Sequence, residues 1–520
     1  MVAPLKPTAG VAGKLADPRM ESNQSATSRL ALCPAVARAD RVQPGSWFAP
    51  STVAKICGGE LLTRGKTAST VVTDSRQGCD GKLFVALGGD NHDGHDHVVA
   101  AIQAGARGVV IGRDVADIKG LAACKGAFVV RVRDTRRALL DLAQEHRRRH
   151  RAKVIGITGS CGKTTTKEWL GAVLAGSMPT VRSPGSYNND VGVPLTLFSI
   201  QPETRAAVVE IGTNAKGEIG RLTGVARPDI AIVTCVAPAH LQGLGSIDGV
   251  ADEKSELPRG LADGGLCILN GDDARVRAMA DCTQGRVQIV SVNGIADWFA
   301  TDVATNAHGS SFRLKGDRLV ELPRAGVHNI YNALFVLAAA AEMGVPEDDA
   351  IAALCAAKPA SRRFEPKSAG GVMIIDDSYN MNPASARAGL QALAALPTRG
   401  RRLVAFGEML ELGDHSHELH HQLGAAIWRA GMDELVVVGA GGKPIADGAL
   451  AAGMPIDHVH CVESPAAAQA MLLPMLRDGD RILVKASRRV GLDRLVDGLL
   501  AALSPAAIAG GDLPAAGSLD

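Results

Sequence analysis

The chain has 520 residues, room for three or four domains of ~100–200 residues, and 46% hydrophobic residues with 59 glycines suit a globular α/β protein. Its 56 Lys and Arg against 54 Asp and Glu leave a net charge of +2, which argues against an electrostatic partnership with nucleic acid or an anionic membrane. The 10 cysteines include no Cys-x-x-Cys pair, so neither a disulfide framework nor a structural zinc site is indicated, and a reducing cytoplasm fits. No apolar run reaches the ~18–20 residues of a membrane span.

In chain order, residues 1–45 are rich in Ala, Pro and Ser and lack the apolar core of a signal peptide. They read as a disordered extension or a misplaced start. A first domain, 46–150, follows, with short apolar runs at Val71–Thr73, Leu83–Leu87, Gly108–Ile111 and Phe128–Val132 and a closing helix over Asp134–His150. Arg147, Arg148 and Arg149 at the end of that helix read as a solvated terminus that suits the helix dipole. A second domain, 151–360, has strand-like runs at Val154–Ile157, Ala206–Ile211, Ile230–Val236 and Leu266–Leu269 between helical stretches, as in a parallel sheet with crossover helices. A third, 361–503, repeats that alternation at Val372–Ile375, Arg402–Phe406, Leu435–Val438, Val459–Val462 and Arg481–Val484, and predicts a Rossmann-like, doubly wound sheet. Gly439-Ala440-Gly441-Gly442 reads as a glycine turn after a strand, and 504–520 as a disordered tail.

The most informative stretch opens the second domain. Val154–Ile157 leads into glycines at 156, 159 and 162, and Lys163-Thr164 then begins a helix-prone segment. Glycines let the N–H groups of Gly159, Ser160, Cys161 and Gly162 approach phosphate oxygens. The helix N-terminus favours anions, Lys163 adds a cation, and Thr164, followed by Thr165, offers a hydroxyl to Mg²⁺. The G-x-x-x-x-G-K-[ST] template would put glycine where Ile157 stands, so the loop is a variant.

Glu210 ends an apolar strand, where an acid needs a partner, and the usual partner beside such a loop is Mg²⁺. His240 follows the third strand at its carboxyl end, where open α/β sheets bind ligands. Lys254 lies further on. An ammonium ~4 Å from a divalent ion meets roughly 4 kcal/mol of repulsion per pair of unit charges at an effective dielectric of ~20. Lys254 must therefore point away or be modified.

The runs G-I-T-G-S-C-G-K-T-T-T, E-I-G-T-N, A-H-L-x-G-x-G-S and K-S-E, in this order, resemble the Mur ligase family, ATP-dependent amide-forming enzymes of peptidoglycan precursor synthesis. The resemblance extends over nearly all of 47–503. It implies a small UDP-binding domain, a central ATP-binding domain and a C-terminal Rossmann-like domain. It further implies that Lys254 is carbamylated, which turns a cation into an anion able to face one of two Mg²⁺ ions beside Thr164, Glu210 and His240. H-N-I-Y-N-A-L (328–334) is similar to the family's adenine-side helix and brings in Asn329 and Asn332. Ser361-Arg362-Arg363-Phe364-Glu365 resembles the segment whose arginine reaches the nucleotide; Arg363 is the preferred match, with Arg362 left open.

I-D-D-S-Y-N-M-N-P (375–383), F-G-E-M-L-E-L-G (406–413), S-Y-N-N-D-V-G-V-P (186–194) and L-V-K-A-S-R (483–488) resemble the subgroup that joins D-alanyl-D-alanine to UDP-N-acetylmuramoyl-tripeptide through an acyl phosphate. That implies Asp377 at the ATP ribose, Tyr379 and Asn380 beside it, and Asn188 and Asn189 near the muramoyl-peptide. Lys485, Ser487 and Arg488 are further substrate contacts. T-D-S-R (73–76), with K-L-F-V-A-L-G-G and D-G-H-D, resembles the uridine end of the site and offers Asp74, Ser75 and Arg76. The sequence departs from the family at Cys161, at Met381 and at Ala486, which replaces a glycine. A monomer without nucleic-acid or membrane partners is expected. The histidines at 92, 95 and 97 read as surface loops, and those at 415, 417, 420 and 421 fall in the ligase motif, where His420 matches a family position. Two other readings stay open: another amide ligase of the superfamily, such as a folylpolyglutamate synthase, and a nucleotide-gated scaffold.

Overall fold

The computed structural model describes residues 47–89, 92–306, 309–358 and 360–504. The readings for residues 1–45 and for the tail after Ser504 lie outside the described residues.

The first sheet is built from β1 (Glu60–Thr63), β2 (Val71–Val72), β3 (Leu83–Val85), β4 (Gly108–Ile111) and β5 (Phe128–Arg131). Its order is β1-β5-β4-β3-β2, parallel except at the β1 edge. The helix Thr135–Arg148 closes this layer. Asp134 caps it, accepting from the N–H groups of Arg136 (2.8 Å) and Arg137 (3.0 Å), which satisfies two donors that have no intrahelical partner. The expected solvated basic end is corrected here. Arg147 is 12% exposed and pairs with Asp229 across to the central domain at 3.0 Å, while its Nε donates to Ala226 O. Only its neighbours Arg148 and Arg149 are open to solvent in substantial part.

The central sheet comprises β6 (Lys153–Thr158), β7 (Thr180–Arg182), β8 (Ala206–Glu210), β9 (Ile230–Val233), β10 (Leu266–Asn270), β11 (Arg286–Ser291), β12 (Trp298–Asn306), β13 (Gly309–Leu314) and β14 (Arg318–Leu322). The order is β14-β13-β12-β11-β10-β9-β6-β8-β7. Strands β6, β8, β9 and β10 are buried on both faces. Ile155 and Ile157 pack with Leu170, Leu174, Leu334 and Phe335 on one side, and Val154 packs in the cluster of Leu197, Leu222 and Leu257 on the other. That double burial is why these strands read as unbroken apolar runs. The parallel sheet read from the sequence holds from β7 through to the pairing of β11 with β12, and β12, β13 and β14 extend its edge by antiparallel pairing. Their alternating burial leaves one residue in two polar, which no apolar run reveals.

The third sheet contains β15 (Glu365–Ala369), β16 (Val372–Asp376), β17 (Arg402–Gly407), β18 (Glu434–Val438), β19 (Val459–Val462) and β20 (Arg481–Lys485). It is ordered β15-β16-β20-β17-β18-β19, with only β15 antiparallel. The glycine turn at 439–442 follows β18 as read, with Gly439 at φ +86°. Among the described residues, no helix is long and apolar enough to cross a membrane.

Register positions the site. Ile157 of β6 stands opposite Glu210 of β8, and Thr158 opposite Val233 of β9. The glycine loop after β6 is thereby flanked by the carboxyl ends of β8 and β9, where the chain's path through the sheet switches side.

Candidate active site

The loop 159–162 is held from behind. Ser160 N–H donates to Cys235 O (2.9 Å), and Ser160 Oγ donates to Ala237 O and accepts from Ala237 N–H, both at 2.9 Å. Two glycines are required by space and by backbone. Gly159 (φ +147°) would set a Cβ 1.8 Å from Thr234 Oγ1, and Gly162 (φ +84°) would set one 2.7 Å from Asn332 Oδ1. Lys163 then opens the helix Lys163–Ala175, folding its Nζ back to donate to Gly159 O at 2.7 Å. Burial pulls its ammonium below the ordinary lysine range.

Thr164 Oγ1 donates to Glu210 Oε2 (2.9 Å), and Asn188 Nδ2 donates to Glu210 Oε1 (2.9 Å). Glu210 is 1% exposed, and the buried Lys167 ammonium stands 3.8 Å from it. A buried carboxylate and hydroxyl meeting at the mouth of a phosphate loop are hard oxygen donors, the set that suits Mg²⁺. Lys254 is 2% exposed, and burial, reinforced by Lys163, brings its amine down to about 7. His240 Nδ1 lies 2.5 Å from Glu411 Oε2 of the C-terminal domain. Both partners occupy left-handed backbone, φ +54° and +65°, a conformation costing roughly 1–2 kcal/mol for a residue other than glycine.

Arg362 and Arg363 part at a turn. Arg362 and Phe364 both have positive φ, +59° and +52°, so the side chains on either side of Arg363 are swung away from it. Arg363 Nη2 donates to Thr164 Oγ1 at 2.8 Å, and its guanidinium stacks 4.3 Å from the Tyr379 ring centroid. Arg362 instead pairs with Asp493 and Asp497. Asn329 Nδ2 donates to Ala325 O, and Asn332 Oδ1 accepts from Thr166 Oγ1. Asp377 pairs with Lys485 at 2.6 Å, and burial raises its carboxyl above the usual range. Lys485 also donates to Asn380 O (2.9 Å), while Ser487 Oγ accepts from Leu410 N–H (2.8 Å).

These groups line one cavity of about 820 Å³. The structure brings together Ser160 to Thr165, Asn188, Asn189, Glu210, His240, Lys254, Asn329, Asn332, Arg363, Asp377, Tyr379, Asn380, Lys485, Ser487 and Arg488. Asp74, Ser75 and Arg76 do not line it. They form a short turn in which Arg76 pairs with Asp74, whose carboxyl is held down to about 2. The first histidine group is corrected: His95 is buried, not a surface residue. Its Nδ1 lies 2.6 Å from Asp93 Oδ1 and its Nε2 accepts from Gly112 N–H. His420 is likewise buried, accepting from Met409 N–H.

Sequence reasoning passed over several lining residues. Ser186, within 3.4 Å of Arg363 Nη2, and Glu411 both lay inside quoted motifs, so the signal was present. Asn382 caps the helix Pro383–Ala395 and its Nδ2 also donates to Ser160 O (3.0 Å), tying the C-terminal domain to the loop. Arg136 reaches the cavity from the first domain and pairs with Asp190 at 3.0 Å. Cys235 carried no signal beyond a cysteine after a strand.

Three α/β layers around a phosphate loop, with an acid, a lysine and an arginine converging on it from separate strands and domains, define a nucleotide-dependent enzyme that acts between domains. Three family profiles match: "Mur ligase family, catalytic domain" over residues 67–147, "Mur ligase middle domain" over 157–340, and "Mur ligase, glutamate ligase domain" over 362–488. The chain belongs to the Mur ligase family. It is 35% identical over 432 residues to the UDP-N-acetylmuramoyl-tripeptide–D-alanyl-D-alanine ligase of Bacillus subtilis, covering 83% of this chain and 93% of that one. Among solved structures, MurF from Acinetobacter baumannii superposes with a TM-score of 0.80 at 29% identity, covering 88% of this chain and all of that one. MurF ligase from Thermotoga maritima in complex with ADP gives a TM-score of 0.73 at 25% identity, covering 84% and 97%.

Proposed function

We propose that this protein joins D-alanyl-D-alanine to UDP-N-acetylmuramoyl-tripeptide with consumption of ATP, and that the residues gathered in the cavity carry the reaction. It is an ATP-dependent ligase that forms an amide bond. The single observation that carries the site assignment is the meeting of Lys163, Thr164 and Glu210 with Arg363 from another domain at one phosphate loop.

The tripeptide carboxylate attacks the γ-phosphorus of ATP, the bond to the β-phosphate oxygen breaks, and an acyl phosphate and ADP result. The dipeptide amine then attacks the acyl carbon, a tetrahedral intermediate forms, and phosphate leaves. The N-terminus of the helix opened by Lys163 and the Lys163 ammonium hold the phosphates in line, while the expected phosphate contact of Ser160 N–H is replaced by a brace to Cys235 O that fixes the loop. Arg363 neutralises charge as it spreads over the transferring group, and its stacking on Tyr379 keeps the guanidinium aimed. Asn329 and Asn332 bound the adenine side, and Asp377 with Lys485 the ribose side. Asn188 and Asn189 face the muramoyl-peptide, and Asn380, Ser487 and Arg488 extend the contacts to substrate. Asp74, Ser75 and Arg76 receive the uridine end.

Thr164, Glu210, His240 and a carbamylated Lys254 would hold Mg²⁺, two ions in all. Bound there, Mg²⁺ would supply charge screening between the phosphates and the incoming carboxylate. Carbamylation is supported by the amine itself: a lysine brought down to about 7 has a free lone pair at neutral pH with which to take up carbon dioxide. All three domains of one chain contribute to the cavity, in keeping with a working monomer. Its substrates place the work in the cytoplasm.

Phosphate release tests this reading. With ATP and UDP-N-acetylmuramoyl-tripeptide, release should depend on D-alanyl-D-alanine. No release under any combination overturns the ligase, and release independent of the dipeptide overturns the substrate.

A further inference from the structure

The phosphate loop and the segment after β9 carry one cysteine each, and the fold brings their sulfurs together. Cys161 Sγ lies 3.0 Å from Cys235 Sγ. The backbones are fastened on both sides of the pair: Ser160 N–H donates to Cys235 O at 2.9 Å, and Thr234 Oγ1 donates to Cys161 O at 2.5 Å. Both side chains are partly exposed and line the nucleotide cavity. A small solute that reaches the phosphate cradle therefore reaches both thiols. The ligase reaction uses neither sulfur.

We infer that Cys161 and Cys235 form a reversible disulfide on exposure to a peroxide, and that this bond halts turnover by displacing the phosphate loop. Cys235, as thiolate, attacks one oxygen of hydrogen peroxide. The O–O bond breaks, hydroxide leaves and takes a proton to become water, and the sulfur is oxidised by two electrons to a sulfenic acid. The Cys161 thiol then attacks that sulfur. The S–S bond forms, the S–O bond breaks, and the departing hydroxide takes the Cys161 proton. Two thiols and one peroxide thus yield one disulfide and two waters. A dithiol reductant reverses the change by thiol–disulfide exchange.

Bond formation needs the sulfurs to close from 3.0 Å to ~2.04 Å, a movement of roughly 1 Å. The loop has little room to absorb it, because Gly159 already lies against Thr234 and Gly162 against Asn332. The N–H groups that cradle phosphate must shift relative to Lys163. A misplacement of ~1 Å at reacting groups costs about 100-fold in rate. The effect on turnover rests on the ligase reading; formation of the bond does not.

The test treats the full-length reduced protein with hydrogen peroxide and then with dithiothreitol. Peptide mapping by mass spectrometry should find the peptides holding Cys161 and Cys235 linked, with phosphate release about 100-fold lower and restored by the reductant. ATP present beforehand should slow the linkage. Cys235→Ala, whatever its untreated rate, should keep that rate through the peroxide step, with Cys235→Ser as a second variant should the first fold poorly. Absence of the linked pair, a linked pair with undiminished turnover, or inactivation of Cys235→Ala at the unsubstituted rate each overturn the inference. A reduced protein that releases no phosphate sinks the ligase reading, while the peptide map still decides the disulfide.

Discussion

Arg363 and Arg362 are adjacent in sequence and opposite in consequence. Arg363 donates to Thr164 and stacks on Tyr379, whereas Arg362 faces Asp493 and Asp497 away from the loop. Replacing Arg363 by Lys removes the planar fork and the stack while keeping the charge, and kcat should fall by about 10²–10³. Arg362→Ala should leave kcat within a few fold and cost about 1 kcal/mol or less of stability. Steady-state phosphate release on the two variants checks the assignment; equal losses would refute it. Lys254 makes a second prediction. Uptake of carbon dioxide needs the neutral amine, so carbamate content should decline as pH falls below about 7, where this lysine takes up its proton. Carbon-13 NMR after labelling with bicarbonate measures it. Lys254→Ala should lose activity and regain part of it with short-chain carboxylic acids; failure of every such acid to rescue counts against the carbamate.

The helix Thr135–Arg148 docks the first domain on the central one through a histidine that cannot easily be charged. His146 is buried against Trp47, Phe48 and Phe198, and the His150 ring lies tilted beside it, centroids 4.1 Å apart. Its Nε2 donates to Ile200 O at 3.0 Å, and its buried Nδ1 has no hydrogen-bond partner. Burial, with nearby His150 and Arg149, pulls it down from 6.5 to about 4. The unfolded chain therefore takes up a proton near pH 6.5, while the folded protein resists until about 4. Stability is full above 6.5 and falls as pH drops from 6.5 to 4, by about 3 kcal/mol for this group. Denaturant unfolding at pH 8 and pH 5 should show about 2 kcal/mol of that fall, and His146→Phe should flatten it. Equal slopes for both proteins would remove His146 as the cause.

Arg363, Asp377 and Asn382 reach the cavity only because the C-terminal domain sits against the central one, and the hydrogen bonds that seat it beside the loop include Arg363 to Thr164, Asn382 to Ser160, Glu411 to His240, and Gln242 N–H to Glu411 O at 3.1 Å. Polar contacts of this kind exchange readily with water, and product must leave between the domains. Nucleotide with both substrates should therefore compact the protein in solution relative to the protein alone, as measured by small-angle scattering. Identical profiles would argue against domain closure.

The chain's local patterns specified the alternating α/β order, the strands buried on both faces and the chemistry of the glycine loop. Each of these is written within one window of sequence: a β-branched run, glycines at set spacing, Lys-Thr at a helix start. The antiparallel strands β12 to β14 escaped because their alternation spreads the apolar residues too thinly. The pairings that complete the site join residues far apart in the chain, 74 positions for Cys161 and Cys235, 171 for His240 and Glu411, 199 for Thr164 and Arg363. Periodicity carries no information across such separations. Which arginine turns inward, what faces His240 and whether two thiols meet are decided by the crossing of strands and the seating of one domain on another, because only packing brings those atoms within bonding distance.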